Sequence, residues 1–182
     1  MKDRRLILNK TQLELTIKRL CYQLVENHND FSETVLVGLQ PRGILLAQRL
    51  EKELKSITGN HEIKIGSLDT TFYRDDFRRR ESPLLANKTQ IDFIIEGKKV
   101  VLIDDVLYTG RTIRAGLDAM LAFGRPALVE LVVLVDRRYS RHLPIEPNYI
   151  GIAVDSLSSE RVVANWQESD GKDEVILKMN KS

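Results

Sequence analysis

The sequence predicts an α/β fold, a central and mostly parallel sheet flanked by helices. Two observations carry this. Short apolar, β-branched runs alternate along the chain with segments whose apolar residues recur at helical spacing. Strands separated by helices in this way pair in parallel and are covered on both faces. In such sheets, ligands bind at the carboxyl edge of the strands, so the turns leaving the strongest strands are the first candidates for a site.

Taken in order, Thr11 with Glu14 three residues on reads as a capping box, and Leu13, Ile17, Leu20, Cys21 and Leu24 then repeat at helical spacing to about His28. Thr34 to Leu39 is a buried strand. Arg42 to about Ser56 is helical in composition and ends near Thr58-Gly59-Asn60. Glu62 to Ser67 alternates as a second strand. Asp69 to Thr89 is crowded with charge and broken by Pro83, and reads as a hairpin or a mobile loop. Val100 to Ile103 is a strand, and Thr109 to Phe123 a helix with Ile113, Leu117, Met120 and Leu121 on one face, closed by Gly124 and Pro126. Val129 to Val135, Tyr149 to Val154 and Val175 to Met179 are further strands.

Composition narrows the function. The 182 residues suit one domain spanning the chain. Lys plus Arg is 28 against 26 Asp plus Glu, a balance that argues against a nucleic-acid coating protein or a polybasic membrane binder. The longest apolar runs, Leu131–Val135 and Ala119–Phe123, fall far short of the roughly 20 residues of a spanning helix. The first residues turn polar at Asn9-Lys10 and lack the apolar stretch of a secretory signal, so the expected compartment is the cytoplasm. Cys21 is the only cysteine, and His28, His61 and His142 are scattered, which leaves no disulfide and no metal-ligand spacing.

The informative stretch is Val100-Val101-Leu102-Ile103-Asp104-Asp105-Val106-Leu107-Tyr108-Thr109-Gly110-Arg111-Thr112. An oily strand ends in two carboxylates, and Thr-Gly-x-Thr then opens a helix. A helix start offers backbone amides and a positive dipole end, and Gly110 allows close approach, so the turn suits a phosphate dianion. The carboxylates, one loop-width away, suit vicinal hydroxyls. Together they describe a site for a ribose 5-phosphate. A Walker A loop and a Gly-x-Gly-x-x-Gly fingerprint are both absent.

Residues 100–112 resemble the phosphoribosyl-pyrophosphate (PRPP) motif of the type I phosphoribosyltransferases, and the form Val-Leu-Tyr-Thr-Gly-Arg-Thr resembles the pyrimidine operon regulatory protein/uracil phosphoribosyltransferase (PyrR-type) family. Val37–Gly43, Phe72–Asp76, Gly124–Pro126, Leu134–Arg137, Leu143–Ile145, Tyr149–Gly151 and Ser159-Glu160 agree in the same order, so the resemblance covers nearly the whole chain. It implies the type I phosphoribosyltransferase fold with a flexible loop and a small hood. It also implies transfer of ribose 5-phosphate from PRPP to uracil, giving UMP and pyrophosphate. Mg²⁺ is implied as well, held largely by substrate, with Asp104 and Asp105 as its candidate protein contacts.

The resemblance further assigns Val106, Leu107, Tyr108, Thr109, Gly110, Arg111 and Thr112 to nucleotide binding around the 5-phosphate, and Asp104 and Asp105 to the ribose hydroxyls and the positive ring. Pro41, Arg42 and Gly43, after Gln40, fall to pyrophosphate, with a non-proline cis peptide near Leu39–Gln40. Arg74 on the closing loop is a second pyrophosphate ligand, and Arg137 and Val162 lie at the base. Tyr108 stands where purine-specific relatives often carry an Asp, which favours a pyrimidine; a purine base is the alternative. The family can also bind messenger RNA. Arg19, Arg137, Arg138, Arg141 and His142 fit that role, whereas Tyr22, Ile152 and one extra residue within 137–143 depart from it. Such proteins tend to form dimers or higher homo-oligomers, for which the apolar face of the first helix is either an interface or ordinary core.

Overall fold

The computed structural model describes residues 4–73 and 88–179. In chain order these form β1 (Arg4–Leu8), α1 (Lys10–His28), β2 (Thr34–Leu39), α2 (Gly43–Thr58), β3 (Ile65–Leu68), β4 (Lys99–Leu107), α3 (Arg111–Met120), β5 (Leu128–Arg138), β6 (Tyr149–Asp155), β7 (Glu160–Asn165), α4 (Gln167–Asp170) and β8 (Glu174–Met179). Short 3-10 turns stand at Thr71–Tyr73 and Leu121–Phe123.

The main sheet has five strands in the order β3-β2-β4-β5-β6, parallel throughout. Successive residues of the central strands point to opposite faces. Leu36, Val101, Ile103, Val132 and Leu134 pack with the buried residues of α1 and α2, while Val37, Leu39, Leu102, Leu131 and Val133 pack with Ile113 and Met120 of α3. Both faces are dry, as the apolar strands require. Leu102 has no exposed surface. Leu102→Ala is expected to cost about 2–5 kcal/mol, read as a loss in Tm of about 2–4 °C per kcal/mol.

The chain leaves β2 through α2 toward β3 on one side and leaves β4 through α3 toward β5 on the other. The carboxyl ends of β2 and β4 therefore sit side by side while their helices depart to opposite faces, and a crevice opens between them. A second sheet, antiparallel in the order β1-β8-β7, lies over the first. Its Val162, Ala164, Val175 and Leu177, with Trp166 beyond β7, share the α1–α2 core. This is the small hood of the expected fold.

Several boundaries differ from expectation for physical reasons. The cap of α1 is Asn9 rather than Thr11: the Asn9 side chain accepts from the Gln12 amide at 2.9 Å and the Gln12 side chain accepts from the Asn9 amide at 3.0 Å. Asn is the stronger cap, and Gln12 stands at the required third position. The apolar residues of α1 are buried in the protein's own core, so that face is not an interface between subunits. β4 does not stop at Ile103. Its pairing with β2 ends at Gly38↔Ile103, but pairing with β5 continues through Asp104↔Val133, Val106↔Val135 and Leu107↔Asp136. The one cis peptide among the described residues is Gln40–Pro41, not a non-proline bond at Leu39–Gln40. Proline lowers the cost of the cis form, so the bond falls one residue later.

Candidate active site

Where β4 outruns β2, its two acids have no strand on that side and face the crevice. Adjacent strand residues point oppositely, and the acids divide accordingly. Asp104 lines a small cavity of about 100 Å³ together with residues 106–113. Asp105 lines a larger one of about 380 Å³ with Arg42, Tyr108, Arg137 and the β7 segment around Val162. Val106 and Tyr108 form the wall common to both. The twin acids thus serve two compartments that meet at one wall, which the sequence alone does not reveal.

The small cavity is built by tying carbonyls back. Arg141 Nη1 donates to the Tyr108 carbonyl at 2.6 Å and to the Arg137 carbonyl at 3.2 Å, and its Nε donates to the Ile145 carbonyl at 3.0 Å. Its Nη2 pairs with the buried Asp136 carboxylate. The amides of His142 and Leu143 donate to the Thr109 carbonyl at 3.0 and 3.3 Å. Across a planar trans peptide the N–H points opposite to the C=O, so the amides of Thr109 and Gly110 turn away from this buttress. Gly110 then takes φ +88°, a value that suits glycine, and caps α3, whose amino end adds its dipole. The result is a nest for an anion.

Arg141 was not legible as part of this site; its sequence context suggested only a basic surface. Arg141→Gln should leave two or more carbonyls short of a donor, at about 1–3 kcal/mol each. Weaker binding of a phosphorylated ligand, by roughly tenfold (about 1.4 kcal/mol) in KM, is the expected kinetic result, with a matching drop in Tm.

In the larger cavity, Arg42 Nε lies 3.3 Å from Asp105 Oδ2, and its Nη2 reaches Asp170 Oδ2 at 2.7 Å and the Ala164 carbonyl. Burial pushes the Asp105 carboxyl above the usual range, and Arg42 opposes that shift. Gly43 brings α2 against β4: a Cβ there would lie 2.4 Å from the Ile103 carbonyl oxygen and 3.0 Å from Asp104 Cα. Pro41 is exposed at the tip of the same turn.

Arg137 is 4% exposed and is no surface ion pair. It donates to Ser156 Oγ at 2.8 Å and to the carbonyls of Leu157 and Glu160 at 3.0 and 2.9 Å. Its guanidinium stacks 4.0 Å over the Tyr108 ring, and burial lowers its pKa. It fixes the turn into β7 and so the depth of the pocket that Val162 lines. Of the rest of that wall, Glu160 stands in a stretch that carries the resemblance, whereas Ser158, Arg161, Val163 and Ala164 have no place in the sequence expectation. Arg74 lies outside the described residues.

The proposed RNA-facing basic residues are largely engaged within the protein. Arg19 reaches the Ile150 and Gly151 carbonyls, and Arg138 pairs with Asp155 at 2.7 Å. Cys21 is buried and its thiol is pushed up to about 12, which removes it as a nucleophile. Among the described residues, no three His, Cys, Asp or Glu side chains gather as a metal site, and no helix is long and apolar enough to cross a membrane.

A phosphate nest, a carboxylate at each of two joined cavities and an arginine-bearing turn at a sheet switch point agree with a sequence match to the phosphoribosyl transferase domain family over residues 5–170. The chain belongs to that family. Within the phosphoribosyltransferases it falls with the PyrR-type proteins. It is 42% identical over 181 residues, 98% of this chain and 99% of the relative, to the Bifunctional protein PyrR of Halalkalibacterium halodurans. It is 40% identical over 175 residues, 96% of this chain and 97% of the relative, to the Pyrimidine operon regulatory protein of Lactococcus lactis subsp. lactis. Among solved structures, a hypoxanthine-guanine phosphoribosyltransferase of Bacillus anthracis superposes with TM-score 0.73 at 17% identity, covering 98% of this chain and 99% of that one. The hypoxanthine phosphoribosyltransferase of Trypanosoma cruzi superposes with TM-score 0.73 at 14% identity, covering 97% of each chain. These likenesses establish the type I phosphoribosyltransferase fold. As a phosphoribosyltransferase, the chain takes PRPP as substrate and releases pyrophosphate.

Proposed function

We propose that this phosphoribosyltransferase transfers ribose 5-phosphate from PRPP to uracil, giving UMP and pyrophosphate, as one cytoplasmic catalytic domain that works as a homo-oligomer. The observation that carries the reading is the buttressed turn 108–112 beside Asp104. The amides of that turn would hold the 5-phosphate, and Asp104 and Asp105 would accept from the ribose hydroxyls. Their negative charge would favour the cationic ring as the bond to the leaving group lengthens. Arg42, with Pro41 and Gly43 shaping its turn, would face the departing pyrophosphate, and Arg74 would join it. Hard carboxylate oxygens on two separate walls suit a Mg²⁺ shared with substrate rather than a resident protein cage. When bound, Mg²⁺ neutralises the pyrophosphate charge.

Two things favour uracil. The relatives are named for pyrimidine regulation, and Tyr108, stacked on Arg137, occupies the cavity wall where a purine-specific acid would stand. Uracil N1 can react as the anion, so no dedicated base is needed. The deciding experiment offers uracil, hypoxanthine, guanine and adenine in turn with PRPP and Mg²⁺. Uracil should exceed the others in kcat/KM by about a hundredfold, about 2.7 kcal/mol. Turnover of a purine at or above that of uracil overturns the assignment.

A second reading, a UMP-responsive regulator that binds RNA, is favoured by the names of the same relatives. The engagement of Arg19 and Arg138 within the protein weighs against it. Filter binding of a pyrimidine leader RNA, with and without UMP, separates the two: tight binding with no turnover would reverse their order.

A further inference from the structure

Arg42 belongs to the leaving-group turn, yet its strongest partner lies 128 positions away in the hood. Asp170 closes the short helix α4. Its Oδ2 accepts from the Trp166 amide at 2.9 Å, from Ser169 Oγ at 2.8 Å and from Arg42 Nη2 at 2.7 Å. The segment carrying it is anchored in turn. Trp166 is fully buried with the Arg49 guanidinium 4.9 Å over its ring, and Arg49 pairs with Glu168 at 2.7 Å and Asp173 at 2.6 Å. On its other side, Arg42 Nε stands 3.3 Å from Asp105 Oδ2, buried and without a hydrogen bond. One guanidinium is thus held between two carboxylates, one in the hood and one at the reacting centre, and it makes its aligned bond to the hood.

We propose that Asp170 is a positioning residue for the leaving-group site: it draws Arg42 toward the hood and so keeps it from collapsing onto Asp105. This rests on the reading of Arg42 as a pyrophosphate ligand. The physical argument is competition for one cation. A half-exposed guanidinium that loses one carboxylate is drawn to the other, the opposite charge left nearest to it, here Asp105 at 3.3 Å from the buried Nε. Without Asp170, Arg42 would close the 3.3 Å gap, cancel the Asp105 charge meant for the ribose and turn away from the diphosphate. Asp170 is suited to the task because its hydrogen bonds, above all from the Trp166 amide, depress its pKa to about 2. It therefore holds its charge at any working pH. The hood, otherwise a cover for the core, becomes part of the pyrophosphate site.

The test is a double-mutant cycle on binding, with pyrophosphate plus Mg²⁺ as the probe in titration calorimetry of the full chain. Asp170→Asn, whose amide oxygen still accepts from Trp166 and Ser169, should weaken pyrophosphate binding about 5–10-fold, raise the KM for PRPP and leave the KM for uracil unchanged. In an Arg42→Ala background, Asp170→Asn should add nothing, because its effect runs through Arg42. Asp170→Glu should restore most of the affinity, and Ser169→Ala, which leaves the Arg42 contact in place, should bind as wild type. Equal weakening by Asp170→Asn with and without Arg42 would overturn the proposal and mark Asp170 as a structural residue. Unchanged binding by Asp170→Asn in a wild type that does bind pyrophosphate overturns this inference alone. A wild type that binds neither pyrophosphate nor PRPP overturns the underlying function as well.

Discussion

Replacing Asp104 and Asp105 together by asparagine is expected to lower kcat/KM by at least about a hundredfold, the scale on which enzymes lose rate when a preorganised charge partner is removed, while the protein stays folded. The structure explains why these effects separate. Each carboxylate commits one oxygen to a local backbone amide, Asp104 Oδ1 to Asp105 N at 3.0 Å and Asp105 Oδ1 to Val106 N at 2.9 Å. An asparagine oxygen can accept the same bonds, so the turn geometry survives. What disappears is negative charge on both walls of the crevice.

Asp105 adds a pH signature. Its folded pKa is raised, mainly by burial. The folded state therefore binds the proton more tightly than the unfolded chain, and stability falls as pH rises from the ordinary carboxylate range through the raised value. Burial makes the ionised form of the group a net cost to the fold. Asp105→Asn should show a Tm at pH 7 no lower than wild type, with that stretch of the pH–stability profile flattened. A marked fall in Tm, or retained turnover in the double variant, would remove these carboxylates from the roles assigned to them.

Gly43→Ala should be nearly as damaging to activity by a different route. Alanine is the better helix former by about 1 kcal/mol, so propensity alone predicts a gain at the first residue of α2. Steric contact decides otherwise. The added Cβ would meet the Ile103 carbonyl oxygen at 2.4 Å and Asp104 Cα at 3.0 Å, both main-chain atoms that no side-chain rotation can clear. Either α2 backs away, taking Arg42 from Asp105, or β4 bulges where it carries Asp104. The expected cost is about 1–3 kcal/mol of stability with a fall in kcat/KM of more than tenfold, measured by thermal denaturation and steady-state kinetics. Gly59→Ala is the control. Gly59 ends the same helix at φ +70° with nothing within 4 Å of an added Cβ, so it should lose about 1–2 kcal/mol through backbone strain alone and keep full activity.

The sheet was legible where burial on both faces writes an unbroken apolar run, as in Thr34–Leu39 and Val129–Val135. It was not legible where tertiary context overrides propensity. Asp104 and Asp105 are poor strand residues, yet they continue β4 because β5 extends beside them and supplies the ladder. The hood strands β1 and β7 are short and mixed in character, held by pairing with β8 rather than by local preference. The site shows the same division. The phosphate turn and its acids stand in one contiguous string and could be read from it. Arg141, which bonds back to the Tyr108 carbonyl across 33 positions, and Asp170, which meets Arg42 across 128, have no local signature.

The most direct measurement is a crystal structure of the protein with UMP bound. The 5-phosphate should rest on the amides of residues 108–112, with the ribose hydroxyls toward the acids of β4 and the base in the cavity between Tyr108, Arg137 and Val162. A nucleotide whose phosphate sits elsewhere, or a turn in which the Tyr108 and Thr109 carbonyls rather than the Thr109 and Gly110 amides face it, would contradict the account.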